Sequence, residues 1–181
     1  MNLSYETDRL ILKILKPDSA QKVLKFYLDN KELFEEYEAM RPDNFYTAKY
    51  QKSMLSCEYN MAAKSSTIRF WVFHKENLNE IIGTVCFRDI KKSIYDSCEL
   101  GYKFDARYWH RGYATEALIE GINIMFDDFD LHRIEAYVMP KNTSSIKLLE
   151  SLYFQREGTL HKNAKIRGNW EDHILYGLVQ T

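Results

Sequence analysis

Apolar residues change their spacing along this chain, and the changes divide it into elements. Leu10-Ile11-Leu12 and Ile14-Leu15 make Arg9–Leu15 an opening strand, which Pro17 stops. Asp18 with Gln21 three residues on reads as a capping box for a first helix. In that helix Ala20, Val23, Leu24, Tyr27 and Leu28 recur at helical spacing. A second helix is predicted over roughly residues 47–62, after an acidic turn, Glu35–Asp43, broken by Pro42. From Thr67 to His74 the chain is dense in aromatic and β-branched residues, and Glu80–Phe87 follows the polar turn Asn77-Leu78-Asn79 as the other arm of a hairpin. In a fourth strand, Cys98–Phe104, the residues Cys98, Leu100, Tyr102 and Phe104 share one face, and Glu99, Gly101 and Lys103 share the other.

Helical spacing then returns. Leu118, Ile122, Met125, Phe126 and Phe129 form one amphipathic stripe. Arg133–Val138 is a short fifth strand, and Asn142 caps a helix bearing Ile146, Leu149 and Leu152. Phe154–Leu160 and His173–Val179 close the chain as strands. The order βααβββαβαββ, without repeat or linker, describes a single mixed α/β domain over residues 1–181, with helices covering a central sheet.

Composition narrows the class. With 181 residues, 45% of them hydrophobic and 14% aromatic, the chain is long enough to bury a core without staples. Twenty-five basic residues against 26 acidic leave a formal charge of −1, which argues against a dedicated nucleic-acid binder. Apolar runs such as Phe70–Phe73 are far too short to span a membrane. Residues 1–6 show neither the basic nor the apolar region of a secretory leader. Cys57, Cys86 and Cys98 are odd in number and lack CxxC spacing, which fits thiols in a reducing compartment, so a cytoplasmic location is expected. His74, His110, His132, His161 and His173 show no HxxxH or HExxH spacing, so no metal site is expected.

The chemically informative segment is Tyr108–Ala117, between the fourth strand and the amphipathic helix. Gly112 and Ala114, two apart, let the backbone approach a ligand. A helix starting near Thr115 offers free N–H groups and the positive end of its dipole, and Arg111, with Arg107, adds formal charge. Two readings follow, a phosphate or pyrophosphate cradle and an ordinary loop before a capped helix. The spacing of a dinucleotide or NTP loop is absent.

Trp109-His110-Arg111-Gly112-Tyr113-Ala114 resembles the [QR]-x-x-G-x-[GA] loop of the GNAT N-acetyltransferases, with Trp in the first position. The run Arg111–Ala117 is similar to that of the ribosomal-protein-alanine N-acetyltransferase branch (RimJ/RimL-like), as are Glu6–Leu12, Ile81–Thr84, Glu99–Tyr102, Asn142–Glu150 and Phe154–Gly158, in the same order. The resemblance covers nearly the whole chain. It implies the GNAT fold, a mostly antiparallel sheet splayed between its fourth and fifth strands. It also implies an acetyl-CoA-dependent enzyme that moves an acetyl group directly to a primary amine, whether a protein N-terminus, a polyamine or another small amine. The N–H groups of Arg111, Gly112, Tyr113, Ala114 and Thr115 would hold the pyrophosphate. The backbone of Tyr102, Lys103 and Phe104 would pair with the pantetheine arm, and Asn142 would hold the arm from the other side.

Two positions depart from the family pattern. Leu149 stands where many members carry a Tyr general acid, and His161–Lys165 lacks the carboxylate base that some members of the branch place there. The resemblance leaves Ser145 as a candidate donor to the leaving thiolate and Glu99 as a candidate base acting through water, and a structural or solvated strand carboxylate explains Glu99 equally well. The acidic turn falls where the family binds its acceptor. There Tyr37, Glu38 and Phe45 would suit a cationic amine by charge and stacking, and a solvated helix end explains the same residues. A coenzyme A-binding sensor that has lost the chemistry is the rival function. A strand edge in this fold permits a homodimer.

Overall fold

A computed structural model describes residues 2–180. Its elements are β1 (Ser4–Glu6), β2 (Leu10–Lys13), α1 (Ala20–Asp29), α2 (Lys31–Glu35), α3 (Ala48–Ala63), β3 (Ile68–His74), β4 (Asn77–Lys91), β5 (Ser97–Phe104), α4 (Tyr113–Asp127), β6 (Arg133–Val138), α5 (Thr143–Ser151), β7 (Gln155–Ile166) and β8 (Asn169–Val179). Eight strands form one sheet in the order β1-β2-β3-β4-β5-β6-β8-β7. Every pairing is antiparallel except β5 with β6. This is the α/β architecture implied by the resemblance.

Two cores hold the sheet between its helices. On one face α4 and α5 bury Leu118, Met125 and Leu149 against Phe70, Val85, Phe87 and Leu100. On the other face α1, α2 and α3 pack Phe26, Tyr27, Phe34 and Leu55 around Trp71 and Phe73. The second core is largely aromatic, and edge-to-face contacts such as Tyr27–Trp71, with ring centroids 6.0 Å apart, fill it. Truncating a fully buried leucine such as Leu118 costs about 2–5 kcal/mol in a core of this kind.

Several expectations are corrected. The opening strand is shorter than Arg9–Leu15, and a three-residue edge strand, β1, pairs against it; β1 is too short and too polar to show in the apolar pattern. The capping box does not form, because Pro17–Ser19 is a turn of 3₁₀ helix and Ser19, at the N-cap of α1, makes no side-chain cap bond. The acidic turn begins inside a helix, α2. The hairpin turn is Lys75-Glu76 rather than residues 77–79, since His74 pairs directly with Asn77. Residues 161–165 are strand rather than loop, because β7 and β8 form one long hairpin around Arg167-Gly168. Both turn residues are left-handed, at φ 48° and 86°, as a twist-matched two-residue hairpin requires. Thr47 caps α3, accepting from the Tyr50 N–H at 3.2 Å, so the second predicted helix stands.

Candidate active site

β5 and β6 pair only where Ser97, Cys98 and Glu99 face Arg133, Ile134 and Glu135. Past Glu99 the two strands part. The edge of β5 from Leu100 to Phe104 that faces away from β4 therefore has no strand partner. An extended ligand can pair with such an edge through its own amides.

The segment after β5 is pinned at both ends. Asp105 is 2% exposed and accepts from the Arg107 N–H at 2.9 Å and from the Asn30 amide at 3.1 Å. Burial pushes its carboxyl up, but the Arg107 guanidinium, with Nε at 3.0 Å from Oδ1, together with these two donors outweighs burial and holds it below the usual carboxylate range. The Trp109 indole N–H donates to the Phe104 carbonyl at 2.9 Å, tying the loop to the end of β5. His110 and Gly112 are left-handed, at φ 58° and 78°. Gly112 is the N-cap of α4 and supplies no capping side chain. The first bond to this end of the helix comes from the Glu116 N–H, to the Gly112 carbonyl at 3.0 Å. The N–H groups of Gly112, Tyr113, Ala114 and Thr115 consequently have no acceptor among the described residues. The helix begins at Tyr113, two residues before the expected start near Thr115, because the left-handed glycine turns the chain directly into it. Free N–H groups at the positive end of a helix dipole make an anion site.

Asn142 caps α5 as expected, its Oδ1 accepting from the Ser145 N–H at 3.2 Å and from the Ser144 hydroxyl at 3.0 Å. Ser145 Oγ lies 2.6 Å from the Tyr102 hydroxyl, and either oxygen is able to donate. This bond runs from β5 to α5. Burial pushes the Tyr102 phenol up to about 12, with the Ser145 contact pulling it slightly back. Sequence reasoning used Tyr102 only for its backbone. The available signal was its place on the apolar face of β5, where a phenol must find a polar partner.

Glu99 is ion-paired with Arg88. It sits opposite Glu135 at the last pair before the strands part, and Glu135 is held by Arg133 at 2.8 Å and by the Tyr137 hydroxyl at 3.0 Å. Leu149 is fully buried in the core and, being aliphatic, supplies no acid to the gap.

The three acceptor candidates separate. Glu38 bridges two cations, Arg41 and Lys103, and its backbone carbonyl accepts from the Arg167 N–H at 3.3 Å. Tyr37 is half-buried, with the Lys141 ammonium 5.6 Å from its ring centroid. The segment thus touches β5, the residue before the α5 cap, and the tip of the β7–β8 hairpin. Phe45 instead lies in the aromatic core, 4% exposed, with Arg41 at 4.3 Å over its ring. A cavity of about 480 Å³ beside the segment is lined by Lys31, Glu35, Glu38, Met40, Tyr46 and Arg167. Two of its carboxylates carry partners: the Tyr46 hydroxyl donates to Glu35 at 2.7 Å, and Glu38 is paired with Arg41 and Lys103. Lys103, expected only as backbone, contributes its ammonium to this side and lies 5.4 Å from the ring centroids of Tyr27 and Phe34. Among the described residues no group of three or more His, Cys, Asp or Glu side chains could hold a metal, and no helix is long and apolar enough to cross a membrane.

Comparison with known proteins agrees with this geometry. Residues 9–155 match the model of the acetyltransferase (GNAT) domain. The chain is 32% identical over 170 residues to the probable N-acetyltransferase YjcK of Bacillus subtilis (strain 168), covering 94% of this chain and 93% of that one. The crystal structure of the ribosomal-protein-S5-alanine acetyltransferase of Vibrio fischeri superposes with a TM-score of 0.92 at 29% identity, covering 98% and 97% of the two chains. Mycobacterium smegmatis RimJ, solved in complex with CoA-disulfide, superposes with a TM-score of 0.88 at 25% identity over 94% of this chain and 81% of that one. The chain belongs to the GNAT acetyltransferase family, on the branch that resembles the ribosomal-protein-alanine enzymes, and is an N-acetyltransferase.

Proposed function

We propose that this chain transfers the acetyl group of acetyl-CoA to the α-amine of a protein N-terminus in the cytoplasm. The observation that carries the donor half is the row of unpartnered N–H groups from Gly112 to Thr115, next to a β5 edge that no strand covers. The coenzyme A complex of the M. smegmatis relative supports it. The acceptor half rests on the activity for which the V. fischeri relative is named and on the position of residues 37 and 38 across the open side of the gap.

Acetyl-CoA supplies an acyl group activated as a thioester. The N–H groups of residues 111–115 bind its pyrophosphate, the backbone of Tyr102, Lys103 and Phe104 aligns its arm, and the Asn142 amide holds the arm opposite. Glu99 takes the amine's proton through water. The Ser145 hydroxyl gives its proton to the departing sulfur and is reprotonated through the Tyr102 hydroxyl 2.6 Å away, solvent restoring the Tyr102 proton and accepting the one held by Glu99. Positioning of the two reactants provides the rest of the rate. Tyr37 and Glu38 border the acceptor's entry, and Phe45 supports that border from the core.

One observation favours the rival reading, a coenzyme-binding sensor without chemistry: Glu99 is already engaged by Arg88. Thermal unfolding with saturating acetyl-CoA tests the donor site. At about 100 times its dissociation constant a ligand stabilises by about 2.7 kcal/mol, here a rise of about 5–10 °C. Release of free thiol in the presence of peptides with an N-terminal alanine then separates the readings. Release with polyamines alone overturns the protein acceptor, and binding without release from any amine establishes the sensor.

A further inference from the structure

Arg9 lies more than a hundred residues before the phosphate-binding loop, yet its side chain is built into that loop. Its Nε donates to Glu116 Oε2 at 2.7 Å, its Nη2 lies 2.7 Å from the same oxygen, and its Nη1 donates to the Arg111 carbonyl at 3.0 Å. Its own backbone N–H donates to Glu116 Oε1 at 2.9 Å, where the Thr7 hydroxyl also donates, at 2.5 Å. The guanidinium stacks 4.6 Å from the Tyr113 ring centroid, and a Cβ placed on Gly112 would meet Nη2 at 3.3 Å. The cation therefore lies against the left-handed glycine at the start of α4. Among the described residues only Thr7 and Arg9 hold the Glu116 carboxylate.

This arrangement solves two problems of an anion site. Glu116 falls in the first turn of α4, where its charge would repel a pyrophosphate bound at the same helix end. Arg9 and Thr7 neutralise and occupy that carboxylate. Burial alone would raise its carboxyl, but these donors hold it below the usual range, so it stays an anion paired with Arg9. The second problem is the direction of the loop's amides. Because the peptide unit is planar, holding the Arg111 carbonyl toward Arg9 turns the Gly112 N–H to the opposite side.

We propose that Arg9 is a positioning residue for the coenzyme, orienting the Arg111–Gly112 peptide and cancelling the charge of Glu116 so that the start of α4 accepts a pyrophosphate. This rests on the donor-site reading above. Thr7 and Glu116 complete the brace, which makes the opening residues of the chain part of the donor site.

The test is calorimetric binding of coenzyme A to wild type, Arg9→Ala, Arg9→Lys and the double variant Arg9→Ala/Glu116→Gln. Hydrogen bonds to charged groups predict a rise in Kd of about ten- to a hundredfold for R9A. R9K should show a smaller rise, because a lysine keeps the charge without the two-sided grip. The double variant should bind more tightly than R9A, since the uncompensated carboxylate is gone. With acetyl-CoA and an accepted amine, the KM for the coenzyme should rise while kcat at saturation stays within about threefold. Wild-type affinity in R9A overturns the proposal, as does a fall in kcat with Kd unchanged. If R9A fails to fold, R9K decides in the same way. A wild type that does not bind coenzyme A removes the donor-site reading itself, whereas binding by wild type and R9A alike removes only the role of Arg9.

Discussion

The two sides of the gap between β5 and β6 are made of different material. On the side proposed for the donor the contacts offered to a ligand are backbone groups: the N–H row from Gly112 to Thr115 and the uncovered edge of β5. On the side proposed for the acceptor they are side chains already engaged with one another, with Glu38 between Arg41 and Lys103, Glu35 under Tyr46, and Tyr37 beside Lys141. A backbone cradle presents the same donors whatever the neighbouring side chains are, which suits a ligand that does not vary. A lattice of ion pairs changes with every substitution, which would suit a ligand that varies. The Tyr102–Ser145 hydroxyl pair stands between the two, one oxygen on each wall.

The largest effect is expected from a change at the cradle. Gly112→Asp adds a side chain at φ 78° and a negative charge at the anion site, and should weaken coenzyme A binding more than a hundredfold by calorimetry. Retained tight binding would show that the N–H row is not the phosphate site. Next, Ser145→Ala should lower kcat by about ten- to a hundredfold with little change in coenzyme affinity. A turnover number equal to wild type would remove Ser145 from the proton path.

On the acceptor side, Glu38→Gln breaks the bridge to Lys103 and Arg41. It should raise the acceptor's KM by about three- to tenfold, in line with part-buried ion pairs, and leave coenzyme affinity unchanged. An equal loss of coenzyme affinity would mean that the two sides are not independent, and the comparison would fail. The smallest effect is on stability at high pH. Folding raises the Tyr102 phenol from an ordinary value near 10 to about 12, so the fold favours its protonated form. That contribution is complete below about pH 10 and is lost as pH rises toward 12. Between these limits wild type should lose stability, in urea titrations, that Tyr102→Phe retains. Parallel losses would mean that the Tyr102 hydroxyl is exposed to water rather than buried.

The difference between the two sides also explains how legible each was. The cradle is local: Gly112, Ala114 and the helix they start are neighbours in sequence, so the spacing of small residues before an apolar stripe already implied free amides. Asn142 is local in the same sense, since an N-cap acts three residues away. Phe45 was misjudged as a stacking surface because an aromatic in a polar segment looks exposed until its neighbours from α1 and α3 are known. The extent of β7 was missed because its edge position leaves it mostly polar, with no apolar alternation to mark it.

Local chemistry and period were enough to specify a central sheet, the helices after β5 and β6, the free amides at the start of α4 and the cap that places Ser145. Each depends on residues within a turn or two of one another. The bracing of the loop by Arg9 and the joining of Tyr102 to Ser145 follow from contacts between residues 107 and 43 positions apart. The latching of residues 37–38 onto Lys103, Lys141 and Arg167 spans still other distances. Such contacts exist only after the sheet has brought β2 beside α4 and opened β5 from β6, because packing, unlike periodicity, has no signature along the chain.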